Sequence, residues 1–314
     1  MLKDHFHNQN KTYKPYTEEL RSVLNLTNTR EAFDEIVSWK GYEVTPLLSL
    51  EEIASKINVK KIYYKDESSR FGLGSFKALG GTYGVLKFLH NMLKEEISTK
   101  VSLEDIRNGK YRKIVSKYTV ATATDGNHGR SVAFGANLFG CKCQIYVHSE
   151  VSKGRQEAME RLNANVIRVN GNYDESVKIC KSESNLNNWH IISDTSYPGY
   201  TKYPKEIMAG YNIMSEEISN QLENKEMPTH IILQGGVGSF PAAICSYFWE
   251  KYHENNIKFV IVESEHAPCL IQSAKKSEMV SINIQKETMM AGLSCGEPSL
   301  LGWKILEKGA DDFV

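Results

Sequence analysis

Short β-rich runs alternate with helix-length amphipathic stretches through most of the chain, and this alternation restricts the fold more than any other feature of the sequence. The patterning predicts strands at 61–64, 118–121, 143–147, 166–169, 191–193, 230–233 and 258–262. It predicts helices around 77–95, 128–138, 153–163, 173–184, 204–221 and 240–253. Strands joined through helices of that length pair as parallel βαβ units, with helices covering the sheet faces. The expected class is therefore α/β, with two parallel-sheet-based domains. Residues 1–90 and 210–314 would form a large discontinuous domain enclosing a smaller one at 91–209. Residues 1–45 read as an extended arm followed by a helix near 30–39, and the polar segment 94–112 as a surface insertion with a short helix. The last residues, Gly309-Ala-Asp-Asp-Phe-Val314, read as a turn and the first residues of another strand. A sheet ending there exposes an unpaired edge, so the large domain is expected to be incomplete at its C-terminus.

Charge excludes several partner classes. The 38 basic and 38 acidic residues balance to a net charge of zero, which gives no footprint for nucleic acid or an anionic membrane. The polar N-terminus lacks the apolar core of a signal peptide, and no apolar run approaches the length of a membrane span. The six cysteines are dispersed, with neither disulfide-scaffold nor zinc-ribbon spacing. A reduced, cytoplasmic protein is expected.

Three loops carry chemistry. The first, Gly72-Leu-Gly-Ser75-Phe, leads into Lys77 at the start of a helical run. The positive end of the helix dipole disfavours an ammonium there, whereas a nucleophilic amine profits from it. Against an ordinary pKa of about 10.4, making that amine neutral at pH 7 costs roughly 4–5 kcal/mol, which burial or a carbonyl partner would have to supply. Taken alone, Lys77 reads as a solvated lysine, as most lysines are. The second loop, Thr124-Asp125-Gly-Asn127-His128, follows a strand and opens a helix. Asp125 and Asn127 there suit either a ligand or a helix cap. The third, Gly235-Gly236-Val237-Gly238-Ser239, lies between the strand at 230–233 and the next helix. Its spacing matches neither dinucleotide nor P-loop fingerprints, so it reads as a cradle for one phosphate monoester or as a plain turn.

An amine, an Asn-bearing polar loop and a small phosphate cradle are the three things pyridoxal phosphate needs. The segments 65–81, 123–130 and 235–239, together with 194–200, 262–265 and 290–298, closely resemble the diaminopropionate ammonia-lyases. These belong to the tryptophan-synthase-β-like, fold type II, family of pyridoxal-phosphate enzymes. The resemblance runs over most of residues 20–308.

It implies pyridoxal 5′-phosphate held by Lys77 as a Schiff base, its phosphate on Gly235, Gly236, Val237, Gly238 and Ser239, and its ring hydroxyl on Asn127. It further implies elimination of ammonia from 2,3-diaminopropionate, giving pyruvate and two ammonia. Lys77 would be the base on one face of the α-carbon and Asp125 on the other, with burial raising the aspartate's pKa from about 3.9. Asp194, Asp125 and Ser75 would contact the amino-acid substrate, with Glu263 at the rim. A cytoplasmic homodimer is implied, without nucleic acid, membrane or metal. Serine/threonine dehydratases share the lysine and glycine loops, but their Asn loop typically begins Ser-Ser or Ser-Gly where this chain has Thr124-Asp125. A dehydratase-like lyase or an inactive, truncated pyridoxal-phosphate-binding protein remain the alternatives. The family continues beyond 298 to the residue that faces the pyridine nitrogen, and no residue of this chain is assigned to it.

Overall fold

The structure is a computed structural model that describes residues 4–97, 99–223, 226–286 and 288–314. Ten strands are present among them: β1 (Phe6–His7), β2 (Leu47–Ser49), β3 (Tyr63–Lys65), β4 (Thr119–Ala123), β5 (Lys142–Val147), β6 (Asn165–Arg168), β7 (His190–Ile191), β8 (His230–Gln234), β9 (Lys258–Val262) and β10 (Asp312–Phe313). One sheet has the order β6-β5-β4-β7 with every pair parallel. A second runs β1-β10-β9-β8, parallel except where β1 meets β10. The fold class expected from the alternation is thus the one observed, and the strand at 258–262 lies where the patterning places it.

Four local expectations change. The segment after Gly309 forms β10, but that strand is not an open edge: Phe313 pairs with Ile261 on one side and with Phe6 on the other. Asn8 reinforces this seam by donating from its side chain to the carbonyls of Glu307 and Ala310. The antiparallel pair β2–β3, in register Leu48↔Tyr64, has a first strand too short for periodicity to reveal. The stretch at 204–221 is two helices, Lys202–Tyr211 and Ile213–Gln221. The break falls at Asn212, whose N–H is shared between the carbonyls of Met208 and Ala209 while its side chain donates to Thr29 Oγ1 at 3.0 Å. The insertion at 94–112, whose Ser98 lies outside the described residues, is more than surface: it buries Val101 and Ile106.

Helix Lys77–Glu96 lies at the centre of the molecule. Its first ten residues are buried apart from Lys77 itself, and it packs against helices Asn127–Phe139 and Lys202–Tyr211. Three glycines in its first two turns cost about 1 kcal/mol each in propensity. Close packing requires at least one of them, because a Cβ on Gly80 would lie 2.4 Å from Tyr211 Cε1 and 2.7 Å from the Ile207 carbonyl. That approach seats the start of the helix, just beyond Lys77, on helix Lys202–Tyr211.

Candidate active site

In a parallel sheet the carboxyl ends of all strands open on one side, and the loops leaving them meet there. Asp125 follows β4, His148 follows β5 and Asp194 follows β7. From the second sheet, loop 235–238 follows β8. Lys77 enters this space from the start of its helix, its N–H donating to Ser75 Oγ at 3.2 Å.

The central contact is Lys77 Nζ donating to Asp194 Oδ2 at 2.6 Å. Burial pushes the lysine down, but the charge and hydrogen bond of Asp194 outweigh it and hold the ammonium above its usual range. Burial likewise favours the neutral form of Asp194. The Lys77 ammonium overrides this and keeps the carboxyl well below the ordinary carboxylate range. In this structure the partner of the Lys77 amine is thus a carboxylate, 117 residues further along the chain. Tyr211 donates to the same oxygen at 3.4 Å. His128 is buried, which lowers its pKa; its Nε2 donates to the Ile192 carbonyl at 2.9 Å, while its Nδ1 lies 3.8 Å from Asp194 Oδ2 with no hydrogen bond of its own.

The other predicted residues fall around this pair. Asp125 accepts from His148 at 3.0 Å. Asn127 is the first residue of helix Asn127–Phe139, exposed, and its side chain makes no hydrogen bond among the described residues. Ser75 is buried. Ser239 Oγ donates to the backbone carbonyl of Asp194 at 2.6 Å, and the carbonyl of Val237 accepts from Ser299 at 2.7 Å, tying loop 235–239 to its surroundings. Gly238 has φ +93°, a backbone region that favours glycine, and it precedes helix Ser239–Tyr252, which no side chain caps. The amide donors at that helix start therefore stay available to an anion. Glu263 is half-buried beside Gly235. Its oxygens accept from the N–H groups of Leu270 and Ile271 at 2.9 and 2.7 Å, capping helix Cys269–Lys276.

A cavity of about 530 Å³ opens beside the cluster, with His148, Tyr173, Thr195, Val237 and Cys295 in its wall. Tyr173 stays a neutral phenol, because burial raises its pKa well above normal and the charge of Asp125 adds to that. Burial pushes the Cys295 thiol up to about 12, against the pull of Lys77. Motif reading assigned no role to His148, Tyr173, Tyr211 or Cys295. A signal for His148 exists in the sequence, since a polar residue directly after a predicted strand marks a strand's carboxyl end.

An amine beside a carboxylate, an uncapped helix start behind a glycine turn and an unpaired Asn side chain together match the aldehyde, phosphate and ring hydroxyl of one cofactor. The site and fold are those of a fold type II pyridoxal-phosphate enzyme. A family model described as pyridoxal-phosphate dependent enzyme matches residues 39–314, and the chain belongs to that family, with pyridoxal 5′-phosphate as its cofactor.

Among its relatives, diaminopropionate ammonia-lyase of Escherichia coli K12 is 37% identical over 306 residues, which is 97% of this chain and 75% of the relative. The crystal structure of the E. coli enzyme in complex with D-serine superposes with a TM-score of 0.88 at 35% identity, over 99% of this chain and 76% of that one. The same enzyme in complex with an aminoacrylate-PLP azomethine reaction intermediate gives 0.86 at 34% identity, over 99% and 75%. No helix among the described residues is long and apolar enough to cross a membrane.

Proposed function

We propose that this chain is a pyridoxal-phosphate-dependent ammonia-lyase acting on 2,3-diaminopropionate. Diaminopropionate and one water give pyruvate and two ammonia, so atoms balance without an oxidant or a metal. The observation that carries the reading is the 2.6 Å pair of Lys77 with Asp194, with Asp125 following the adjacent strand end. Two carboxylates in one cleft suit a substrate that brings two amines, and Asp125 stands where the dehydratase pattern has a neutral residue.

When bound, the cofactor supplies an electron sink for negative charge developing at the substrate's α-carbon. The chain's own groups do the rest. Lys77 anchors the cofactor and, once freed, takes the α-proton of one enantiomer, while Asp125 takes that of the other. Asp194, which holds the Lys77 ammonium here, binds the substrate amine once Lys77 leaves it. Ser75 contacts the substrate, Asn127 the ring oxygen, and Gly235, Gly236, Val237, Gly238 and Ser239 the phosphate. We read residues 1–90 with 210–314 as the large domain and 91–209 as the small one, in keeping with the membership of the two larger sheets.

The test is pyruvate release from D- and L-diaminopropionate by holoenzyme, with serine and threonine as controls. Diaminopropionate is expected to turn over far faster than either control, and turnover of the controls alone would overturn the assignment. Lys77→Ala is expected to lose both turnover and the absorbance of lysine-bound cofactor. Asp125→Asn is expected to lower kcat for one enantiomer by roughly 10²–10⁴-fold while sparing the other.

A homodimer in a reducing, cytoplasmic compartment completes the reading. All six cysteines are free thiols. Leu48 and Tyr64, opposite each other on β2 and β3, are exposed, as are Ile53 on helix Glu51–Lys56 and Ile57 directly after it. Patches of this kind are covered in assemblies. Light scattering is expected to give twice the chain mass, falling towards one chain for Leu48→Glu with Tyr64→Glu.

A further inference from the structure

We propose that His148 is a positioning residue for Asp125, donating its Nε2–H to Oδ1 so that the other carboxylate oxygen is presented to the substrate. The inference rests on the reading of Asp125 as the base for one enantiomer.

The two side chains meet because their strands run side by side. β4 and β5 pair in register through Ala123↔Tyr146, and the N–H of Thr124 extends the ladder to the Tyr146 carbonyl at 3.0 Å. Asp125 and His148 therefore leave adjacent strand ends together. Their contact is 3.0 Å, with the histidine side chain 2% exposed and the aspartate 12%. The tautomer follows from the other ring nitrogen. His148 Nδ1 lies 3.3 Å from the backbone N–H of Glu150. A backbone N–H can only donate, so Nδ1 must accept, and the proton of a neutral ring sits on Nε2, facing Asp125.

The surrounding loop holds this arrangement in place. Arg168 Nη1 donates to the carbonyls of His148 and Ser149 at 3.3 and 2.8 Å. Arg155 Nη1 lies 3.4 Å from the carbonyl of Asp125, and Gly126 N–H donates to Thr124 Oγ1 at 3.1 Å. Asp125 Oδ1 is engaged, whereas Oδ2 makes no hydrogen bond among the described residues. Free rotation of the aspartate would present either oxygen, at any angle, to an α-proton. One buried donor on Oδ1 removes that freedom and leaves Oδ2 as the base. His148 also lies in the wall of the 530 Å³ cavity, with Tyr173, Thr195 and Cys295.

A purely architectural histidine, tying two loops together, would affect every substrate alike. A positioning histidine affects only the reaction that uses Asp125. Holoenzyme rates on D- and L-diaminopropionate separate these for the wild type, Asp125→Asn, His148→Leu and His148→Gln. His148→Leu is expected to lower kcat about 10- to 100-fold for the enantiomer that Asp125→Asn disables, the scale of one buried hydrogen bond to a charged group. KM and the other enantiomer's kcat should stay within about threefold. His148→Gln, which keeps an amide donor near the Nε2 position, is expected to recover most of the loss. A selective Asp125→Asn beside an unselective His148→Leu would overturn the positioning role alone. An unselective Asp125→Asn would remove the base reading and this inference with it.

Nitrogen-15 spectra of the histidine-labelled wild-type holoenzyme give a readout independent of turnover and of whether His148→Leu folds. The resonance that disappears in His148→Gln is expected to carry a proton on Nε2. An Nε2 without a proton would overturn the proposal.

Discussion

At the scale of single residues, identity alone leaves the environment of two groups undetermined. A lysine in the first turn of a helix is disfavoured as a cation by the helix dipole, and burial adds to the penalty. Asp194 reverses both: its charge and its 2.6 Å hydrogen bond keep Lys77 protonated. The motif 65–81 made Lys77 legible as the nucleophile, but nothing in it names a partner 117 residues further on. Glu263 is the second case. It reads as a rim candidate because it follows a strand, and its carboxylate also caps a helix that begins six residues later. Burial raises its carboxyl to about 7 from 4.5, with the two amides it caps pulling the other way. The native state therefore binds this proton more tightly than the unfolded chain. Its contribution to stability is complete below about pH 4.5 and is lost as pH rises to about 7, amounting to roughly 3 kcal/mol. Urea unfolding at pH 5 and pH 8 should show this loss in the wild type and a flatter dependence in Glu263→Gln.

At the scale of elements, periodicity located the helices that face the sheets, since one stripe is apolar and the other is not. It failed where an element owes its existence to a neighbour. β1 and β10 have two residues each and are strands only because they pair with one another and with β9. The 204–221 stretch keeps its helical pattern through Asn212, yet it breaks because that side chain reaches Thr29 on another helix. Helix Lys77–Glu96 shows the reverse, tolerating glycines because tertiary contact needs them. Gly80→Ala adds a methyl against Tyr211 and Ile207 that the helix pair cannot admit without moving. A loss of about 1–3 kcal/mol is expected in denaturant unfolding. Weaker cofactor binding should accompany it, because Tyr211 also donates to Asp194.

Across the whole molecule, one buried ionic cluster joins segments far apart in the chain. Arg70 is 1% exposed and donates twice to Glu67 and twice to Glu217, with one further bond each to the Glu43 carbonyl and Thr45 Oγ1. Lys65 adds 2.6 Å to Glu217, so two cations balance two carboxylates. The cluster anchors the loop that turns through Phe71, Gly72 and Gly74 at positive φ before reaching Ser75 and Lys77. Arg70→Met leaves buried carboxylates without their partner, and a loss of about 3–5 kcal/mol is expected in urea unfolding. Nothing in the local pattern around Arg70 separates it from a surface arginine, because its partners come together only on folding.

The sequence by itself determined the α/β class, the loops that carry chemistry and the residue types within them. Strand–helix alternation and glycine-bearing loops are local properties, and local sterics and patterning are written in neighbouring residues. The tertiary structure alone decided which groups meet. The pairing of Lys77 with Asp194, of Asp125 with His148, and the closure of β10 by β1 each join positions separated by 23 to 307 residues. Such contacts depend on which strand ends lie side by side and which backbones approach closely, and those are set by packing of the complete chain rather than by any segment of it.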